Sequence, residues 1–123
     1  MSPREWSHRL EDTLDAIARI IEYTRGMSFK EFADDNRTVD AVLRNFIVIG
    51  EASRGIPNEI RTRYPAVPWR LMGDMRNFAV HEYWGVDLRT IWATALNDLP
   101  PLAKNLRMIQ ESNQEGTTQG EPE

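Results

Sequence analysis

Within eight residues, Arg76-Asn77-Phe78-Ala79-Val80-His81-Glu82-Tyr83 gathers a permanent cation, an imidazole and a phenol on an apolar stretch with helical spacing. Arginine keeps its charge at any biological pH and can fork two hydrogen bonds onto a phosphate, whereas histidine titrates near neutrality and can move a proton. Internal hydrolysis of RNA needs a base for the 2′-hydroxyl, an acid for the leaving 5′-oxygen, and positive charge where the pentavalent phosphate gathers negative charge. His81 suits either proton role and Arg76 suits the third, and neither requires a metal.

The spacing constrains how these groups could cooperate. At about 100° per residue, Arg76 and His81 stand about 140° apart on a regular helix, Asn77 and His81 about 40°, and Arg76 and Tyr83 about 20°. One straight helix does not aim Arg76 and His81 together. Three remedies exist: the long arginine side chain bends around, the helix loosens near Gly85, or a second subunit completes the site. The third is favoured, because a symmetric pair brings two arginines and two histidines into one cleft and separates acid from base.

Two carboxylates are supporting candidates. Glu51 interrupts an otherwise apolar helix, where a buried carboxylate needs a partner, and Arg76 is one arginine that could supply it. Asp74 lies seven residues before His81, roughly on its face. Glu5-Trp6-Ser7-His8 matches one Glu-x-x-His element of a di-iron bundle, but that chemistry uses two such elements with further carboxylates, so no metal site and no cofactor are expected. The chain has no cysteine, which removes disulfides, thiolate ligands and cysteine nucleophiles.

The formal charge of -4 argues at first against a nucleic-acid partner. Four of the 19 acidic residues, Glu111, Glu115, Glu121 and Glu123, fall in the last thirteen positions, so the preceding body holds 15 acidic and 15 basic groups. Arg54, Arg61, Arg63, Arg70 and Arg76, against Glu59 and Asp74, give a local basic surplus leading into the Arg76–Tyr83 run. No apolar run resembles a signal peptide or a membrane span, so no membrane association and a cytoplasmic location are expected.

The elements that must position these residues read as helices. Trp6, Leu10, Leu14, Ile17 and Ile21 recur at helical steps up to Gly26. Ser28-Phe29-Lys30-Glu31 is a capping box opening a short helix to about Asp34. Thr38 is the expected cap of a third helix, with Val42, Phe46, Ile49 and Ala52 on its apolar face and Gly55 at its end. The proline-punctuated stretch 56–68 holds at most a turn or two of helix around residues 58–63. A fourth helix starts near Trp69 and ends at Gly85, and Asp87 caps a fifth that Pro100 and Pro101 permit to kink. These periods predict an all-α, up-and-down bundle of four to five main helices over residues 1–110, followed by a disordered acidic tail at 111–123.

The arrangement R-x4-H-x-Y with Asn77 after the arginine, together with Ile49-Gly50-Glu51-Ala52, Pro68-Trp69, Gly73, Met75, Val86-Asp87 and Trp92, resembles HepT-like toxins of the HEPN superfamily over about residues 10–107. The resemblance implies an HEPN-like helical fold, a homodimer, and metal-independent endoribonuclease activity centred on Arg76 and His81, with Asn77 as a polar helper. It also implies a minimal nucleotidyltransferase antitoxin as partner, transferring AMP from ATP to Tyr83. An AMP group on Tyr83 would set a phosphate beside Arg76 and occlude the cleft. The alternative reading is a non-catalytic nucleotide-binding or scaffold subunit that holds the nucleotidyltransferase through the same arginines.

Overall fold

The computed structural model of the chain describes residues 3–82 and 87–120, with side chains over 5–81 and 87–113. Among these residues every regular element is a helix: α1 (Pro3–Thr24), α2 (Phe29–Asp34), α3 (Asn36–Arg54), α4 (Asn58–Arg63), α5 (Trp69–Glu82), α6 (Leu88–Ala93) and α7 (Leu99–Gly120), with a π-helical segment, Thr94–Asp98, joining α6 to α7. The all-α bundle expected from the periodicity is the observed architecture.

The third helix is the spine. One flank packs on α1 and the other on α5, while α1 also packs on α7. Val42, Leu43, Phe46 and Ile49 of α3 are buried against Leu10, Ile17 and Ile20 of α1 and Met72, Met75 and Ala79 of α5, with Leu99, Leu102 and Leu106 closing the core. Each large apolar side chain removed from water in this way contributes about 1.5–3 kcal/mol. Four buried polar side chains are satisfied within their own helices: Thr13 Oγ1 donates to Arg9 O, Thr24 Oγ1 to Ile20 O, Asn45 Nδ2 to Ala41 O and Ser53 Oγ to Gly50 O.

Local signals set several boundaries. Gly26 ends α1 at φ 76°, a left-handed conformation that glycine takes without steric cost. The Ser28 capping box forms in both directions, with Glu31 N donating to Ser28 Oγ at 3.1 Å and Ser28 N to Glu31 Oε1 at 3.0 Å. Trp69 is buried at the start of α5 and donates from Nε1 to Tyr64 O at 3.0 Å, tying α5 to the end of α4. The second helix braces α6: the Trp92 ring lies 5.0 Å from that of Phe32 and 6.3 Å from that of Phe29, and the Arg89 guanidinium stands 4.2 Å over Phe29.

Two expectations differ from what is observed. Asp35 rather than Thr38 caps α3, because its carboxylate accepts from the backbone N–H of both Arg37 and Thr38 while also receiving the Thr38 hydroxyl. The irregularity in the last helix lies one turn before the two prolines. Pro100 and Pro101 have no N–H, and their rings crowd the carbonyls of Leu96 and Asn97, so the ladder widens and Leu99 N–H reaches Thr94 O. The last helix, α7, runs from Leu99 to Gly120. Leu102, Ala103, Leu106 and Ile109 anchor it in the core, and an anchored helix propagates at one backbone bond per residue through Glu and Gln, which favour it.

Candidate functional site

Arg76 sits where α5 crosses α3. Gly50 lies directly against the Arg76 backbone, and Gly73 faces Ser53 one turn away, so the two helices run antiparallel through a seam of small residues. From that seam the Arg76 side chain emerges beside Glu51, with Nε 2.6 Å from Glu51 Oε1. The Arg76 and Glu51 side chains are 39% and 48% exposed, so the pair is reachable by solvent and by a ligand. Glu51 is therefore not the buried carboxylate its apolar neighbours in sequence suggest; it stands on the rim of α3. Its other oxygen, Oε2, lies 3.7 Å from Arg54 Nη1.

His81 faces elsewhere. It is exposed in the last turn of α5 and borders a cavity of about 190 Å³ with Phe78, Asp87 and Thr90. The Thr90 hydroxyl and the backbone N–H groups of Arg89 and Thr90 hold the Asp87 carboxyl below the usual carboxylate range, which keeps a negative charge on this wall through the neutral range. Asn77 is exposed one turn before His81. Arg76 and His81 share no partner among the described residues: the guanidinium turns to α3 and the imidazole to α6, as their angular separation on one helix requires.

Asp74 is drawn to Arg70, whose Nε lies 4.0 Å from its Oδ2, rather than to His81. The arginine surplus read from the sequence is not one patch. Arg61 donates from Nε to Ile56 O at 3.1 Å and from Nη2 to Ser53 O, so it caps the end of α3. Arg63 pairs with Glu59 at 3.1 Å, leaving Arg54 as the member that adjoins Arg76 through Glu51. Tyr83, the expected AMP acceptor, lies outside the described residues, as do Gly85 and Val86.

Sequence reasoning gave no site role of their own to Arg54, Phe78 and Thr90, which the structure sets beside Glu51 or His81. Arg54 was read only as one of five arginines in the basic surplus, its i,i+3 spacing from Glu51 passed over, and Thr90 was marked only by its place three residues after a capping aspartate. A larger groove, about 300 Å³, runs between α1 and α3 past Asp12, Asp15, Arg19 and Arg44. It touches none of Arg76, Asn77 and His81 and carries as many carboxylates as guanidinia, so it is set aside as the chemical centre. No helix among the described residues is long and apolar enough to cross a membrane.

Comparison with known proteins gives the chain's family. Residues 13–109 match the family described as Ribonuclease HepT-like. The chain is 45% identical over 107 residues to "Probable ribonuclease HepT" of Thermococcus cleftensis, covering 85% of this chain and 97% of that protein. It is 35% identical over 109 residues to "Putative RNase MJ1380" of Methanocaldococcus jannaschii, covering 89% and 100%. No solved structure gives a significant match. With Glu51, Arg76, Asn77 and His81 all inside the matched span, the chain belongs to the Ribonuclease HepT-like family.

Proposed function

We propose that the protein is a metal-independent endoribonuclease toxin whose site is completed when two copies bring Arg76 of one toward His81 of the other. In the reaction the RNA 2′-hydroxyl oxygen bonds to phosphorus and the bond from phosphorus to the 5′-oxygen breaks, leaving a 2′,3′-cyclic phosphate and a free 5′-hydroxyl. One histidine takes the 2′-hydroxyl proton and another protonates the departing oxygen. Arg76 neutralises the charge that gathers on the phosphoryl oxygens, and Asn77 adds a hydrogen bond beside the histidine. Because the nucleophile comes from the RNA and the positive charge from arginine, the scheme needs no metal ion.

The observation that carries this reading is the Glu51 clamp on Arg76. Glu51 Oε1 lies 2.6 Å from Nε while the Arg76 side chain stays 39% exposed, so the guanidinium is oriented and still reachable by a phosphate. The family assignment and the ribonuclease names of its relatives support RNA as substrate. A second copy accounts for an arginine and a histidine that one chain aims in different directions. By the same resemblance, a minimal nucleotidyltransferase antitoxin silences the toxin by transferring AMP to Tyr83.

Incubation with single-stranded RNA in excess EDTA tests the proposal. The wild type should cleave and leave cyclic phosphate ends, and folded His81→Ala should not. No cleavage by wild type, with a nucleotidyltransferase still bound, would instead support the scaffold alternative.

A further inference from the structure

We infer that Arg54 is a second RNA-binding residue, holding a phosphate next to the scissile one, and this rests on the ribonuclease reading above. The end of α3 does not need Arg54. Gly55 N–H already donates back to Ala52 O and Ser53 O, and Arg61 covers Ser53 O and Ile56 O. Among the described residues the charged partner of Arg54 is Glu51, whose Oε2 lies 3.7 Å away, beyond hydrogen-bonding distance, and the Arg54 side chain is 65% exposed.

The charge balance gives that loose contact a purpose. A carboxylate 2.6 Å from Arg76 fixes the guanidinium but also cancels its charge, which by itself would weaken the hold on an anion. Arg54 on the other oxygen of the same carboxylate returns the group to a net single positive charge. The two guanidinia stand on either side of Glu51, so one phosphate cannot sit between them without meeting the carboxylate. Successive phosphates of one strand can each take a guanidinium while Glu51 stays between them. Arg54 also lies one turn after Gly50 on the same stripe of α3, the stripe that meets α5 at Arg76. The ligand class is a single-stranded ribonucleotide with at least two phosphates, and the contact is independent of base identity.

The test uses full-length protein in a His81→Ala background, which removes cleavage, and a fluorescent single-stranded RNA titrated by anisotropy over a range of salt. Arg54→Gln should raise Kd several-fold and flatten the slope of log Kd against log salt by about 0.7, the contribution of one phosphate contact on a single strand. Arg54→Lys should restore most of the slope. In the His81 wild-type background, Arg54→Gln should raise KM several-fold and leave kcat within about twofold, as expected for a group that binds ground and transition states alike. Unchanged Kd and salt slope would overturn the inference, and so would a loss confined to kcat. Should wild type neither bind nor cleave RNA, the ribonuclease reading fails and Arg54 with it. Cleavage abolished by His81→Ala but indifferent to Arg54→Gln defeats the Arg54 inference alone.

Discussion

Gly50 and Arg76 approach more closely than two residues that both carried β-carbons could: a Cβ built on Gly50 would lie 2.6 Å from Arg76 Cβ and 2.9 Å from its backbone nitrogen. The proposed catalytic arginine is thus placed by the absence of a side chain on the facing helix. Glycine inside a helix costs roughly 0.5–1 kcal/mol relative to alanine, and at this position the close crossing offsets that cost.

Gly50→Ala should therefore force α3 and α5 apart, lower stability by about 1–3 kcal/mol and reduce any RNA cleavage along with it. Gly73 is the control in the same seam. A Cβ there meets only Ser53 Oγ at 4.0 Å, ordinary contact, so Gly73→Ala should raise stability by up to about 1 kcal/mol. Urea unfolding of both variants checks the pair. Equal effects of the same sign would contradict the described crossing.

Glu51→Gln should separate positioning from stability. A half-exposed ion pair contributes only about 0–1 kcal/mol to folding, so the melting temperature should barely move. Loss of the clamp should still lower kcat by roughly ten- to a hundredfold, because the guanidinium no longer waits in one orientation. Single-turnover kinetics beside a thermal melt would decide it. Wild-type kcat in a stable variant would remove Glu51 from the site.

Stability should fall in acid for an identifiable reason. Three carboxyls at helix starts are held below their usual range: Asp35 first by the Thr38 hydroxyl, Asp87 first by the Thr90 hydroxyl, and Glu31 first by the Ser28 backbone N–H. Groups with depressed folded-state values stabilise fully above their unfolded values, about 3.9 for Asp and 4.3 for Glu, and lose that contribution as pH falls through the folded ones. The urea midpoint should be flat above about pH 5 and decline below about pH 4. Asp35→Asn and Asp87→Asn keep an acceptor without the titration and should each flatten the decline. An unaltered acid limb in both would show that the caps do not set it.

Much of the architecture was legible because it depends on periodicity and on short capping signals. The three-to-four-residue steps in α1 and α3, the Ser28 box and the turn at residues 58–63 are local features, and all appear as expected. Where the sequence misled, a choice between local partners was settled by geometry. Thr38 read as the cap of α3, but Asp35, three residues earlier, reaches two backbone N–H groups and took the role. Glu51 looked buried because its neighbours in sequence are apolar, yet burial follows the helix face and not the neighbours. The divergence of Arg76 and His81 followed from spacing alone, whereas Arg61 turning back onto α3 depends on the path of residues 55–60, which no periodicity encodes.

Subunit complementation tests the central claim most directly. Arg76→Ala and His81→Ala proteins, each inactive alone, are mixed under conditions that exchange subunits, and RNA cleavage is measured alongside the fraction of mixed dimers. A site built from both copies of a two-fold pair predicts that a measurable share of wild-type cleavage returns, because the mixed dimer keeps one intact arginine facing one intact histidine and water takes over the missing histidine's proton role. Cleavage that stays at the level of the separate variants, in a sample shown to contain mixed dimers, would contradict it.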